Sequence, residues 1–156
     1  MNDELPYREG VVAAFCDEDG NVLIARRFGT TDSWQFPQGG IELGETPEKA
    51  VFREVYEELG CDKFDILKTV PDWIPYDFPL TFIHSSKVAE KYRGQKQRWF
   101  LCRFHPGFGP DLNQASDKAF DAVKWVKPEE ILDVIVQFKN PAYLTALTAL
   151  GLLLPA

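Results

Sequence analysis

The chain has 156 residues, enough for one domain with a sizeable core, and its 45% hydrophobic and 26% charged residues exclude a disordered, collagen-like or repeat architecture. A net charge of −7 excludes a surface that coats nucleic acid, which needs a basic stripe to displace counterions, so any RNA contact must be local. Cys16, Cys61 and Cys102 are odd in number and lack CxxC spacing, which argues against zinc and a disulfide framework. They read as small buried apolar residues in a reducing cytoplasm.

The start, Met1-Asn2-Asp3-Glu4, is acidic and lacks the basic-then-apolar pattern of a signal peptide. Gly10–Phe15 and Val22–Arg26 are strand-like runs joined by the turn Asp17-Glu18-Asp19-Gly20-Asn21. Trp34-Gln35-Phe36 alternates and stops at the loop Pro37-Gln38-Gly39-Gly40. Thr46 as N-cap, Pro47 in the first turn and Gly60 as stop predict a helix from Pro47 to Leu59. Phe64–Val70, Leu80–His84, Gln97–Phe104 and Val123–Val126 read as strands, with Trp34, Trp99 and Trp125 as core. Pro128-Glu129-Glu130 opens another helix, and the apolar Leu144–Leu154 reads as a final helix packed on the core or as a subunit interface. That last stretch is too short to span a bilayer. No linker divides residues 1–156, and the irregular interleaving predicts an α/β domain with a mixed sheet between helices.

The helix carries the chemistry. Glu54, Glu57 and Glu58 lie three and four apart and crowd one side, where like charges repel. A hard cation such as Mg²⁺ or Mn²⁺ would offset that repulsion, whereas a solvated acidic face is the plainer reading of the helix taken alone.

The helix does not stand alone. Gly39, Glu45, Arg53-Glu54-Val55, Glu57-Glu58, Gly60 and Cys61 follow Gly-x5-Glu-x7-Arg-Glu-U-x-Glu-Glu-x-Gly-U, with U a bulky aliphatic. The pattern resembles the Nudix box, with Cys61 a mild departure at the last position. The resemblance implies the Nudix fold, a mixed sheet sandwiched between helices (α/β/α). It makes Glu54, Glu57 and Glu58 metal ligands, aided by the backbone carbonyl of Gln38 or Gly39. Glu45 and Arg53 would brace the loop and aim Glu54, while Gly39 and Gly60 let the backbone turn tightly.

The flanks narrow the likeness. Arg26-Arg27-Phe28-Gly29, Trp34 to Gly40, Gly94-Gln95-Lys96-Gln97 with Trp99-Phe100, and Gln137-Phe138-Lys139 are similar to bacterial RNA 5′ pyrophosphohydrolases, relatives of the dinucleoside polyphosphate hydrolases. The resemblance runs from about Tyr7 to Tyr143 and matches poorly at Asp72–Tyr92 and in the final tail. Arg8, Arg27 and Lys96 are candidate phosphate contacts, with surface salt bridges as the alternative. Phe138 is a candidate stacking surface for a base, with Lys139 and Tyr76 nearby; a core Phe is the alternative.

One position departs. These enzymes carry a further glutamate before a Phe-Asp pair, and here Ala119 precedes Phe120-Asp121. Either a glutamate has been replaced deliberately, or Asp117 or Asp121 takes its place, or the loop is dispensable. The expected activity is metal-dependent removal of pyrophosphate from 5′-triphosphorylated RNA, promoting its decay. Dinucleoside polyphosphates or nucleoside triphosphates are alternative substrates, and a non-catalytic module binding nucleotides or RNA ends is a different class. A homodimer is expected from the tail and the resemblance.

Overall fold

Continuous apolar runs at residues 11–15 and 22–25 are buried on both faces and sit within two sheets. A computed structural model describes residues 4–83 and 87–154. Met1–Asp3, and His84 at the end of the strand expected at Leu80–His84, lie outside the described residues. In chain order the elements are β1 (Tyr7–Phe15), β2 (Val22–Arg27), β3 (Trp34–Gln35), β4 (Gln38–Gly40), α1 (Pro47–Leu59), β5 (Phe64–Thr69) and β6 (Ile74–Asp77). There follow α2 (Leu80–Ile83), α3 (Val88–Lys91), β7 (Gly94–Phe104), β8 (Phe120–Val126), α4 (Pro128–Val134), a 3₁₀ turn (Gln137–Lys139) and α5 (Asn140–Ala149).

The larger sheet runs β4-β1-β7-β5, with β6 also on β7; β1 and β7 are parallel and the other pairings antiparallel. A three-stranded antiparallel sheet, β3-β2-β8, accompanies it. The period of two along β1 feeds two cores. Val12, Ala14 and Trp99 face one with α4 and α5, while Val11, Ala13, Phe15 and Phe100 face the other with α1. Helices thus cover both faces of a mixed sheet, as expected, although the strands divide into two sheets.

Local chemistry fixes the ends of α1. Thr46 accepts from the Lys49 N–H (3.2 Å), Pro47 begins the helix, and Gly60 closes it in the left-handed region at φ 70°. Its apolar residues Ala50, Val51, Val55 and Leu59 are buried, which leaves the glutamates toward β4.

Three expectations are corrected. Residues 37–40 are not all loop, since Gln38–Gly40 pairs antiparallel with β1 as β4. Leu80–His84 is not a strand: Leu80–Ile83 forms a helical turn after Pro79, whose carbonyl accepts the Phe82 N–H. Trp125 is not core, since it sits 40% exposed on β8. Trp99 is fully buried, and Trp34 is half-buried beneath the cations of Arg26 and Lys124. The apolar tail packs as expected through α5, which buries Tyr143, Ala146 and Leu147. All three cysteines are free and buried. Among the described residues no helix is long and apolar enough to cross a membrane.

Candidate active site

Arg53 organises the loop and helix. It donates from Nε and Nη2 to the two oxygens of Glu45 (2.7 and 2.9 Å) and from Nη2 to the Gly40 carbonyl (2.8 Å). From Nη1 it reaches Glu54 (2.8 Å) and Glu57 (3.3 Å). Planar guanidinium geometry suits this fork, which a lysine would not reproduce. Its bond to Arg53 holds the Glu45 carboxyl below its ordinary range, and Glu45 also accepts the Glu42 N–H (3.0 Å). Glu45 and Arg53 therefore brace the loop against α1.

Glu58 is the most buried of the three acids, at 6% exposure, and accepts the Gln38 N–H (3.0 Å). Burial, then the neighbouring charge of Glu54, pushes its carboxyl up to about 9. Burial also raises Glu54, against the pull of Arg53. A Cβ at Gly39 would lie 2.0 Å from the Glu54 carboxyl carbon, so only glycine lets the carboxylate lie on this strand. A Cβ at Gly40 would meet the Arg8 guanidinium at 2.5 Å.

Among the described residues no three acidic or sulfur- or imidazole-bearing side chains already form a ready cation cage. The donor set nonetheless fits a hard divalent cation. All its donors are oxygens, and a buried carboxyl crowded by like charge gains from a cation held beside it.

A cavity of about 530 Å³ opens beside Gln38, lined by Arg8, Arg27, Tyr76, Gln95, Phe138 and Lys139 among others. Tyr76 and Phe138 stand 5.7 Å apart at a tilt, and Phe138 also meets Phe82 (5.6 Å). Phe138 is therefore both a cavity wall and partly packed on the core. Lys139 lies over the Tyr76 ring at 5.7 Å, and burial, aided by Arg27, pushes its ammonium down to about 8.

Lys96 is not brought to this cavity. β1 and β7 pair Arg8 with Gln95 and Glu9 with Lys96, so Lys96 points to the opposite sheet face. There it meets Glu9 (3.3 Å) and the Trp73 ring (5.0 Å), the salt-bridge alternative. In its place stand two buried glutamines that the motifs alone did not single out. Gln95 donates to the Tyr76 hydroxyl (2.8 Å), and Gln97 donates to the Gln38 side chain (2.8 Å). Alternation with the buried Trp99 was the signal that could have found them.

At the loop after β7, Ala119 is half-buried against the core beside α1, and its carbonyl accepts the Phe28 N–H (2.8 Å). Asp121 is committed elsewhere, to Arg26 (2.9 Å) and the Gly29 N–H (3.3 Å).

An acidic face of α1 beside a cavity lined by arginines and aromatic rings fits the class of hydrolases that act on phosphoric anhydrides. Within that class it belongs to the NUDIX family, whose domain model matches residues 6–146. The chain is 42% identical over 142 residues to a protein of Rickettsia rickettsii named RNA pyrophosphohydrolase, covering 90% of this chain and 87% of that one. A protein of the same name from Zymomonas mobilis is 43% identical over 145 residues, covering 90% and 92%. Among solved structures, a NUDIX hydrolase from Nitrosomonas europaea shares the fold with a TM-score of 0.67 at 18% identity, covering 93% of this chain and 88% of that one.

Proposed function

We propose that this chain is a divalent-cation-dependent hydrolase that removes pyrophosphate from the 5′-triphosphate end of RNA, which opens the transcript to decay. The observation that carries the reading is a cavity lined by cations and aromatic rings, one of whose lining residues, Gln38, donates its N–H to the Glu58 carboxylate of α1. A triphosphate end presents those chemistries in order: phosphates, then a base. The names of these relatives support the RNA substrate.

Glu54, Glu57 and Glu58 would hold Mg²⁺ (or Mn²⁺), helped by a carbonyl of Gln38 or Gly39. When bound, the cation neutralises phosphate charge and acidifies water. Hydrolysis forms one bond from water oxygen to phosphorus and breaks one P–O anhydride bond. Arg8 and Arg27 hold phosphate oxygens, and Phe138 and Tyr76 hold the base while Lys139 borders it. Arg53 and Glu45 keep Glu54 in place throughout. Residues 1–156 act as one domain in this reading.

Competition between 5′-triphosphorylated RNA and diadenosine tetraphosphate tests the assignment. Preferential cleavage of the RNA is expected. Preference for the dinucleotide would move the substrate class, and absence of turnover on both in Mg²⁺ would leave a binding module.

A further inference from the structure

Three residues stand in a row across the sheet face beneath the cavity. In the register of the larger sheet, Gln95 on β7 lies between Arg8 on β1 and Tyr76 on β6, and all three line the cavity. Neighbouring strands lie about 4.8 Å apart, so the strands of Arg8 and Tyr76 are about 10 Å apart with Gln95 midway. Gly94 allows this packing, because a Cβ there would lie 1.9 Å from the Tyr76 carbonyl oxygen. Gln95 is 7% exposed. Its Nε2 donates to the Tyr76 hydroxyl (2.8 Å), while its Oε1 is buried with no hydrogen-bond partner among the described residues. A buried acceptor left without a donor is destabilising, and an incoming donor removes that penalty. The Tyr76 hydroxyl both donates and accepts, and the terminal torsion of a glutamine is soft, so a small rotation turns the free oxygen toward the cavity.

We infer that Gln95 reads the sugar of the bound nucleotide: its free oxygen accepts the 2′-hydroxyl of the first ribose, so the site prefers ribose to deoxyribose. The inference rests on the reading above in which Arg8 holds phosphate and Tyr76 holds the base. Within a nucleotide the ribose separates those two parts, as Gln95 separates the two residues. In an RNA chain the 3′ oxygen of that ribose is esterified, which leaves the 2′-hydroxyl as its only O–H. A 2′-hydroxyl is also the group by which a protein tells RNA from DNA at a given site.

The test compares kcat/KM in Mg²⁺ for triphosphorylated RNA oligomers whose first sugar is ribose, 2′-deoxyribose or 2′-fluoro-2′-deoxyribose. Fluorine keeps the sugar pucker of ribose but supplies no O–H. For the wild-type chain both altered sugars are expected to lower kcat/KM by about 3–10-fold, the loss of one neutral hydrogen bond. Gln95→Leu and Gln95→Met should act on all three sugars alike. Each variant supplies its own ratio between sugars, so a general loss of folding or of support for Tyr76 cannot imitate the result. A 2′-fluoro substrate handled like ribose, or a ribose preference retained in both variants, would overturn the inference. RNA hydrolysis indifferent to the sugar would remove the role of Gln95 alone. A Gln95-dependent preference for ATP over 2′-deoxy-ATP, without RNA hydrolysis, would keep that role and remove the RNA substrate.

Discussion

Glu58→Gln in chelator should make the chain more stable at neutral pH, because the native site protonates this carboxyl. The folded group sits at about 9 against an ordinary 4.5, a raised acid. The folded state therefore binds one more proton than the unfolded state between those values. Its stabilising contribution is complete below about pH 4.5 and is lost as pH rises through about 9. The limiting slope is about 1.4 kcal/mol per pH unit, so this group costs at most about 3 kcal/mol between pH 5.5 and 8. For a chain of this size that corresponds to about 6–12 °C in melting temperature. Glutamine keeps an oxygen to accept the Gln38 N–H but carries no titrating proton. Thermal unfolding in chelator at both pH values should show a steep decline for the wild-type chain and a shallower one for Glu58→Gln. Added Mg²⁺ should flatten the wild-type decline, since cation binding takes the ionised form. Identical pH slopes for the two proteins would refute the reasoning.

Three further outcomes follow from the site. Arg53→Lys removes the fork to Glu45 and Gly40 and should cost about 2–4 kcal/mol in urea unfolding, since it strands half-buried carboxylates; a loss below about 0.5 kcal/mol would deny the bracing role. Gly39→Ala drives a methyl into the Glu54 carboxylate and should weaken Mg²⁺ binding at least tenfold, read by calorimetry, with the fold retained. Lys139 loses its charge as pH rises through about 8, so KM for a triphosphorylated substrate should climb above that pH. Lys139→Arg, permanently charged, should abolish the climb; equal pH profiles would contradict it.

The parts of this site legible in the sequence are those where one residue type settles local geometry. Thr46, Pro47 and Gly60 set α1 to its observed bounds, and the resemblance to the Nudix box implied the contacts of Arg53 with Glu45 and Glu54. Phe138 and Lys139 meet Tyr76, from a distant element, at one cavity, and Gln38 of that cavity accepts from Gln97, 59 positions further on. Lys96 was assigned by motif, and the face on which it sits depends on strand parity against its parallel neighbour β1. The Leu80–His84 run was apolar enough for a strand, but Pro79 and local bonding turn it into a helical turn. Trp125 shows that β8 leaves one aromatic residue outside, which composition alone does not reveal.

The most direct measurement follows pyrophosphate and phosphate released from a 5′-triphosphorylated RNA oligomer by the full chain in Mg²⁺. Release of product with a 5′-monophosphate left on the RNA, lost on chelation and in Glu54→Gln, is the predicted result. An intact triphosphate end under conditions where the same preparation cleaves a dinucleoside polyphosphate would contradict the assignment.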